Sequence, residues 1–531
     1  FRGCVALLAV VTAFGCVGYP VEGKSLALKR IPSHEVDHQI LENLLNRPHR
    51  RTERSRILKQ SSLLPDSFFT TLSTNVTTKN RTMMPDIDAA EDDDPAFMLL
   101  GSVLTTGYYA IEIELGTPRQ TFDVILDTGS TMAYVPCVFC GDSCGKHTNP
   151  PYDPHKSETS SYVPCLSSKC STFCGSRRCG CESLDGTFHL MLPALNVCSY
   201  AKAYQEKSSS SGVIVDDVIW LDQWVNRKFT FGCETKETGE IYKQKADGVI
   251  GLGNNPSSMI NQLVAEGAME NKFSFCIGGF NGGGVMMLGG DTPVEDSYLR
   301  PADSNSNGTM QYAKLVQNIN YPEFYSIKLG KIRVGPNAVN VPSILYDVGY
   351  GTVVDTGTTF IYLPEAAYIA FHQQVSAEMK KHESLAKQVP GPDPRYPDDV
   401  CYIYTGPTNS SFANLDFTNL PSIDDIVGMQ QSQQLEFDNF LGLFPDLTLE
   451  LQTPDGNSEG IKFPPSNYLF RVRSGSSTAL CVGVYNNSNA GTLLGGILLR
   501  DMLVEFDLQN ETIGFAAADC EALASAETSD R

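Results

Sequence analysis

The triplet Asp-Thr-Gly occurs twice in this chain, each time between two apolar runs. The first stands in VILDTGSTMAYV, Val124–Val135, and the second in TVVDTGTTFIYL, Thr352–Leu363. A lone carboxylate at the end of a buried strand is costly. Two such segments in one chain are accommodated if each closes one of two similar β lobes and the acids meet in a shared cleft. A second echo supports that division. GVIGLG at Gly248–Gly253 follows the first triplet, and TLLGGI at Thr492–Ile497 follows the second. At 531 residues the chain is also too long for one ordinary core.

The texture between these marks is that of strands. YYAIEIELGT, TFDVILDTGS, GVIVDDVIWL, KFTFGC, GGVMMLGG, YSIKLGKIRV and LVEFDLQNETIGFA alternate or run apolar, and Gly and Pro break them. Only PSSMINQLVAEG and PEAAYIAFHQQVSAEMKKH read as helices. The expected class is therefore mostly β. Residues 1–23 read as a signal peptide with a short apolar centre, and residues 24–94 as a propeptide containing a basic run. An N-terminal lobe spans 95–290, a polar linker 291–310, a C-terminal lobe 311–520 and a polar tail 521–531. No C-terminal membrane anchor is expected.

A formal net charge of −21 and a pI near 4.8 exclude a basic, nucleic-acid-binding surface. Of sixteen Cys, a dense group runs from Cys137 to Cys181, followed by Cys198 and Cys233. CVFCGDSC has spacing that zinc accepts. A signal peptide and an even count point instead to disulfides, so no metal is expected. Sequons at Asn75, Asn80, Asn307, Asn409, Asn486 and Asn510 agree with passage through the secretory pathway, ending outside the cell or in an endomembrane or vacuolar lumen.

Two carboxyls a few ångströms apart cannot both ionise comfortably, so Asp127 and Asp355 would share one proton over an acidic range. The ionised member takes a proton from water, and the protonated member polarises a carbonyl. That is a general base and a general acid for hydrolysis, with no cofactor and no covalent intermediate. Gly129 and Gly357 permit the tight turns. Thr128 and Thr356 can bond across them, and Ser130 and Thr358 can each donate to the outer oxygen of their own Asp.

These segments, with FGCETKETGEIYKQKADGVIGLG, GPDPRY, NYLFRV and TLLGGILLRDMLVEFD, resemble the pepsin-like aspartic proteases, in particular the plant-type, nepenthesin-like branch. The likeness runs from Tyr108 to Cys520, and the Cys-rich insertion is also similar to that of the export-processing plasmepsins. The resemblance implies a bilobal fold with one cleft, a monomer acting on polypeptides, and a propeptide that inhibits its own enzyme. It implies a flap at AYQEKSSSSG, with Tyr204 as the flap tyrosine. Tyr134 stands where such enzymes often carry Trp, and Glu206 is a candidate contact for a basic substrate side chain. Cys401 and Cys481 look like the C-lobe disulfide, and Cys276 with Cys520 like a tie between lobes. The alternative is a catalytically silent binding or inhibitor protein on the same fold.

Overall fold

A computed structural model describes residues 96–529, except for 103–105, 175–178, 185–194, 206, 222–225, 281, 291–297, 301–308, 392–396, 407–433 and 475–476. The expected signal peptide and propeptide, most of the linker, Glu206 and the sequons at Asn75, Asn80, Asn307 and Asn409 lie outside the described residues. Asn486 and Asn510 are both exposed.

The protein is mostly β, and its strands follow their local patterns. AIEIEL forms Ala110–Leu115, with Glu112 outward and Ile111 and Ile113 buried. QTFDVILD forms Gln120–Asp127, whose last four residues are all buried. Both expected helices form. Met259–Ala265 is capped by Ser258, whose side chain accepts from Asn261 N–H. Glu365–Lys380 buries Ala367, Phe371, Val375 and Met379 at helical spacing. Among the described residues, no helix is long and apolar enough to cross a membrane.

The two halves repeat one arrangement. In the first, Gln120–Asp127 runs parallel to Val249–Gly251, and Asp127 lies opposite Gly251. In the second, Thr352–Asp355 runs parallel to Thr492–Gly495, and Asp355 lies opposite Gly495. A third strand completes each motif, with Tyr134 opposite Val249 and Tyr362 opposite Leu493. The paired echoes in the sequence are thus the two central strands of each lobe.

One sheet joins the halves. Lys272–Ile277 pairs on one side with Gly284–Leu288 and on the other with Met502–Asp507, which continues to Thr512–Ala517 and Gln311–Lys314. Phe273 stacks on Phe506 at 4.7 Å, and Tyr325 packs edge-on to Phe506 at 4.9 Å. Such aromatic pairs contribute about 0.5–1.5 kcal/mol each beyond the area they bury.

Six disulfides are present among the described residues. The Cys-rich insertion holds Cys137–Cys233, Cys140–Cys144, Cys165–Cys181 and Cys170–Cys198. All three sulfurs of CVFCGDSC are therefore bonded to other sulfurs. Cys401 and Cys481 join directly opposed positions of one antiparallel pair. Cys276 and Cys520 join the shared sheet to the helix Cys520–Ser529. That helix occupies the segment read from sequence as a polar tail. Cys520, Leu523 and Ala524, at helical spacing, are buried with Val285, Met287 and Leu503.

Cys276–Cys520 closes a separation of 244 residues. Replacing both by Ser is expected to lower the unfolding free energy by about 2–5 kcal/mol. Denaturant titration measures it, and a change below ~1 kcal/mol would contradict a stabilising tie.

Candidate active site

Each Asp ends a strand whose residues are buried, and the chain then turns sharply on Thr-Gly. Asp127 and Asp355 remain only 5% and 6% exposed. What holds the turns together is an exchange between threonines. Thr128 Oγ1 donates to Val354 O at 2.9 Å and accepts from Thr356 N–H at 3.0 Å. Thr356 Oγ1 donates to Leu126 O at 3.0 Å and accepts from Thr128 N–H at 3.1 Å. Each hydroxyl thus satisfies one backbone donor and one backbone acceptor of the other turn, in a region with almost no access to water.

The glycines allow the two turns to touch. A Cβ on Gly129 would lie 2.6 Å from Asp355 Oδ1, and one on Gly357 would lie 2.1 Å from Asp127 Oδ1. Each glycine is therefore pressed against the opposite carboxylate, and any side chain would force the acids apart. Each Asp also accepts from the glycine of its own turn, Gly129 N–H at 3.0 Å and Gly357 N–H at 2.9 Å.

The supporting hydroxyls differ. Thr358 Oγ1 makes a short hydrogen bond to Asp355 Oδ2. Ser130, expected to serve Asp127 in the same way, does not: its Oγ is buried and has no hydrogen-bond partner. The backbone around both turns is laced alike. Leu252 N–H donates to Asp127 O and Gly253 N–H to Ser130 O, while Gly496 N–H donates to Thr358 O.

The hairpin made by Leu195–Ala203 and Ser209–Trp220 carries Tyr204 at its turn. Tyr204 N–H donates to Ser208 O, and Lys207 adopts φ 77° to close the turn. The Tyr204 and Tyr134 hydroxyls share a hydrogen bond of 2.8 Å. Tyr134 is fully buried, and burial foremost, with Tyr204 beside it, holds its phenol well above the ordinary range. The Tyr134 phenol is therefore neutral at any ordinary pH, and either hydroxyl can be the donor in this contact.

Sequence reading missed a second group of acids behind the hairpin. Glu234 and Glu237 are 0% and 4% exposed, and His147 Nε2 lies 3.2 Å from Glu237 Oε2. FGCETKET carries both acids, but alternation along a strand assigns residues three apart to opposite faces.

Thr128→Val keeps the shape and removes the hydroxyl, leaving Thr356 N–H and Val354 O without that partner. A loss of about 1–3 kcal/mol in unfolding free energy is expected, read by chemical denaturation. A cost indistinguishable from zero would mean the exchange does not hold the turns.

The chain matches two successive family models. One is described as xylanase inhibitor N-terminal, over residues 109–290, and the other as xylanase inhibitor C-terminal, over residues 324–439 and 429–517. It is 26% identical over 434 residues to aspartic proteinase 36 of Arabidopsis thaliana, covering 78% of this chain and 75% of that protein. It is 24% identical over 421 residues to aspartic proteinase nepenthesin-1 of Nepenthes gracilis, covering 78% and 79%. Plasmepsin V of Plasmodium falciparum is 24% identical over 491 residues, covering 81% and 74%. The two models meet across the shared sheet, each bearing one Asp-Thr-Gly turn, and the chain belongs to the pepsin-like aspartic protease family.

Proposed function

We propose that the protein is an aspartic endopeptidase that hydrolyses peptide bonds with a water activated between Asp127 and Asp355. The observation that carries this reading is the mutual contact of the two turns, each glycine against the other turn's carboxylate. Carboxyls so placed hold one proton between them. The ionised member removes a proton from water as its oxygen attacks the peptide carbonyl carbon. The protonated member gives its proton to the carbonyl oxygen. Collapse of the resulting gem-diol breaks the C–N bond, and the nitrogen leaves with a proton returned through the pair. Thr128, Gly129, Thr356, Gly357 and Thr358 fix the geometry, and Ser130 remains a hydroxyl in reserve beside Asp127. Tyr204 closes over the substrate from the hairpin, steadied by Tyr134. Glu206 beyond it is proposed as a contact for a basic side chain of the substrate.

The relatives' names as aspartic proteinases support this reading. The disulfides fit folding in an oxidising lumen, and the basic run within residues 24–94 fits an inhibitory prosegment paired with an acidic cleft. A second reading, an inhibitor without activity, is favoured by the description of the matching models. Both Asp-Thr-Gly turns and the threonine exchange are intact, which such a protein does not need.

Asp127→Asn and Asp355→Asn are each expected to lower kcat/KM on a peptide substrate by at least ~10³-fold, or about 4 kcal/mol, with the fold retained by circular dichroism. The unsubstituted enzyme should work best at acidic pH and lose rate as the shared proton leaves. Turnover near the unsubstituted level in either variant, or a rate still climbing above neutrality, would sink the mechanism. Pepstatin binding without hydrolysis would favour the inhibitor reading.

A further inference from the structure

The acids behind the hairpin owe their position to an irregularity. Along the pairing of Ser209–Trp220 with Asn226–Thr238, the register passes from Ser211↔Lys236 to Gly212↔Glu234, so Thr235 has no opposite residue. This bulge brings Glu234 and Glu237 onto one face. With the neighbouring strand, the face reads in rows: Lys202, Ser210 and Glu237, then Tyr200, Gly212 and Glu234. Tyr134 lies beside the next row, opposite Gly232. The acids therefore sit between the hairpin that carries Tyr204 and the residue on which Tyr204 rests.

Their chemistry is unusual for a core. Carboxylate oxygens of Glu234 and Glu237 lie within 4.8 Å of one another, and both side chains are buried. His147 presents both ring nitrogens to acceptors. Nδ1 faces Ala246 O at 2.7 Å, and Nε2 faces Glu237 Oε2 at 3.2 Å and, in a short contact, Cys144 O. Both ring nitrogens thus face oxygen acceptors. Two carboxyls this close set like charges against one another when neither carries a proton.

Other polar groups line the same region, and Lys202 shares the row of Glu237 with its Nζ buried. The Tyr134 and Tyr200 phenols are neutral, both held high chiefly by burial. Lys202 Nζ lies 5.6 Å from the Tyr204 ring centroid. Asp247 is engaged by Asn149 and by Asp123 N–H, and Glu240 by Lys243. Cys144 lies close enough to complete a metal cage, but its sulfur is bonded to Cys140 and offers no thiolate.

We propose that Glu234, Glu237 and His147 form a proton-holding pocket that keeps the hairpin seated on Tyr134, and that loss of the carboxyl proton releases it. The glutamates are then positioning residues: they act on the substrate only through the hairpin. Their consequence for turnover rests on reading that hairpin as the flap, but the proton-linked seating does not. Burial lifts Glu237 from the ordinary 4.5 to about 7. Burial and the neighbouring Glu237 hold Glu234 well above its ordinary value. A folded-state value above the unfolded one gives stability that is full below about 4.5. That stability is lost as pH rises through about 7.

The test is hydrogen exchange of backbone amides in residues 199–203 and 209–213, corrected for intrinsic rates, at pH 5 and pH 8.5. It is done on the full chain carrying Asp127→Asn, so the readout does not depend on turnover. Protection is expected to fall at least ~10-fold between the two pH values, a difference of about 1.4 kcal/mol. The double variant Glu234→Gln/Glu237→Gln, which leaves no carboxyl to titrate in the pocket, should hold that fall within about twofold. Glu237→Gln alone removes the group raised to about 7 and carries the test should the double variant not fold. An unchanged pH response in both variants would overturn the proposal. So would a response abolished by EDTA and restored by zinc, because a cation would then occupy the pocket.

Discussion

Four hydrogen bonds, which the hydroxyls of Thr128 and Thr356 make with backbone groups of the opposite half, are the constraint on which the rest of the molecule depends. They are buried, reciprocal and made entirely to backbone, so neither turn can relax without orphaning groups of the other. Because each turn ends its lobe's central strand, the exchange also fixes how the lobes meet. The shared sheet and the Phe273–Phe506 stack then hold from behind what the threonines hold at the front. Tyr325 adds a third point of attachment, donating to Leu252 O one residue past Gly251.

Much of this arrangement is legible in the sequence, because it rests on local pattern repeated twice. An apolar run ending in Asp-Thr-Gly specifies a buried strand and a tight turn wherever it occurs. An apolar-apolar-Gly run specifies a strand with room beside it. At Gly251 that room is taken by the backbone of Thr131 and Met132, and at Gly495 by that of Thr358 and Phe360. The likeness to a known family supplied the pairings Cys401–Cys481 and Cys276–Cys520, which no spacing argument yields.

What escaped the sequence reading depends on register. Glu234 and Glu237 share a face only because Thr235 is bulged out, and nothing in FGCETKET announces a bulge. Ser130 and Thr358 occupy equivalent places, yet only Thr358 meets its acid. A hydroxyl's direction is set by packing, not by residue type. The terminal helix escaped for another reason: Leu523 is the one large apolar residue in a segment of alanines and polar residues, and its position matters only once Cys520 is anchored to Cys276.

Pairs of carboxyls meet at two depths of the fold. At the cleft, two carboxyls are brought together by a hydrogen-bonded scaffold. Behind the hairpin, two more are brought together by a bulge, with a histidine alongside. In each place, removing the last carboxyl proton sets like charges against one another where water screens them poorly. The difference lies in what each pair touches. The outer pair faces the space between the lobes and can exchange protons with a bound molecule. The inner pair faces only protein, so its proton can do work only by changing how elements pack. The hairpin lies against the inner pair, and its Tyr204 rests on Tyr134, so the two devices are mechanically in series. The roles proposed for the two pairs would couple the chemistry and the shape of this fold to one variable, the acidity around it.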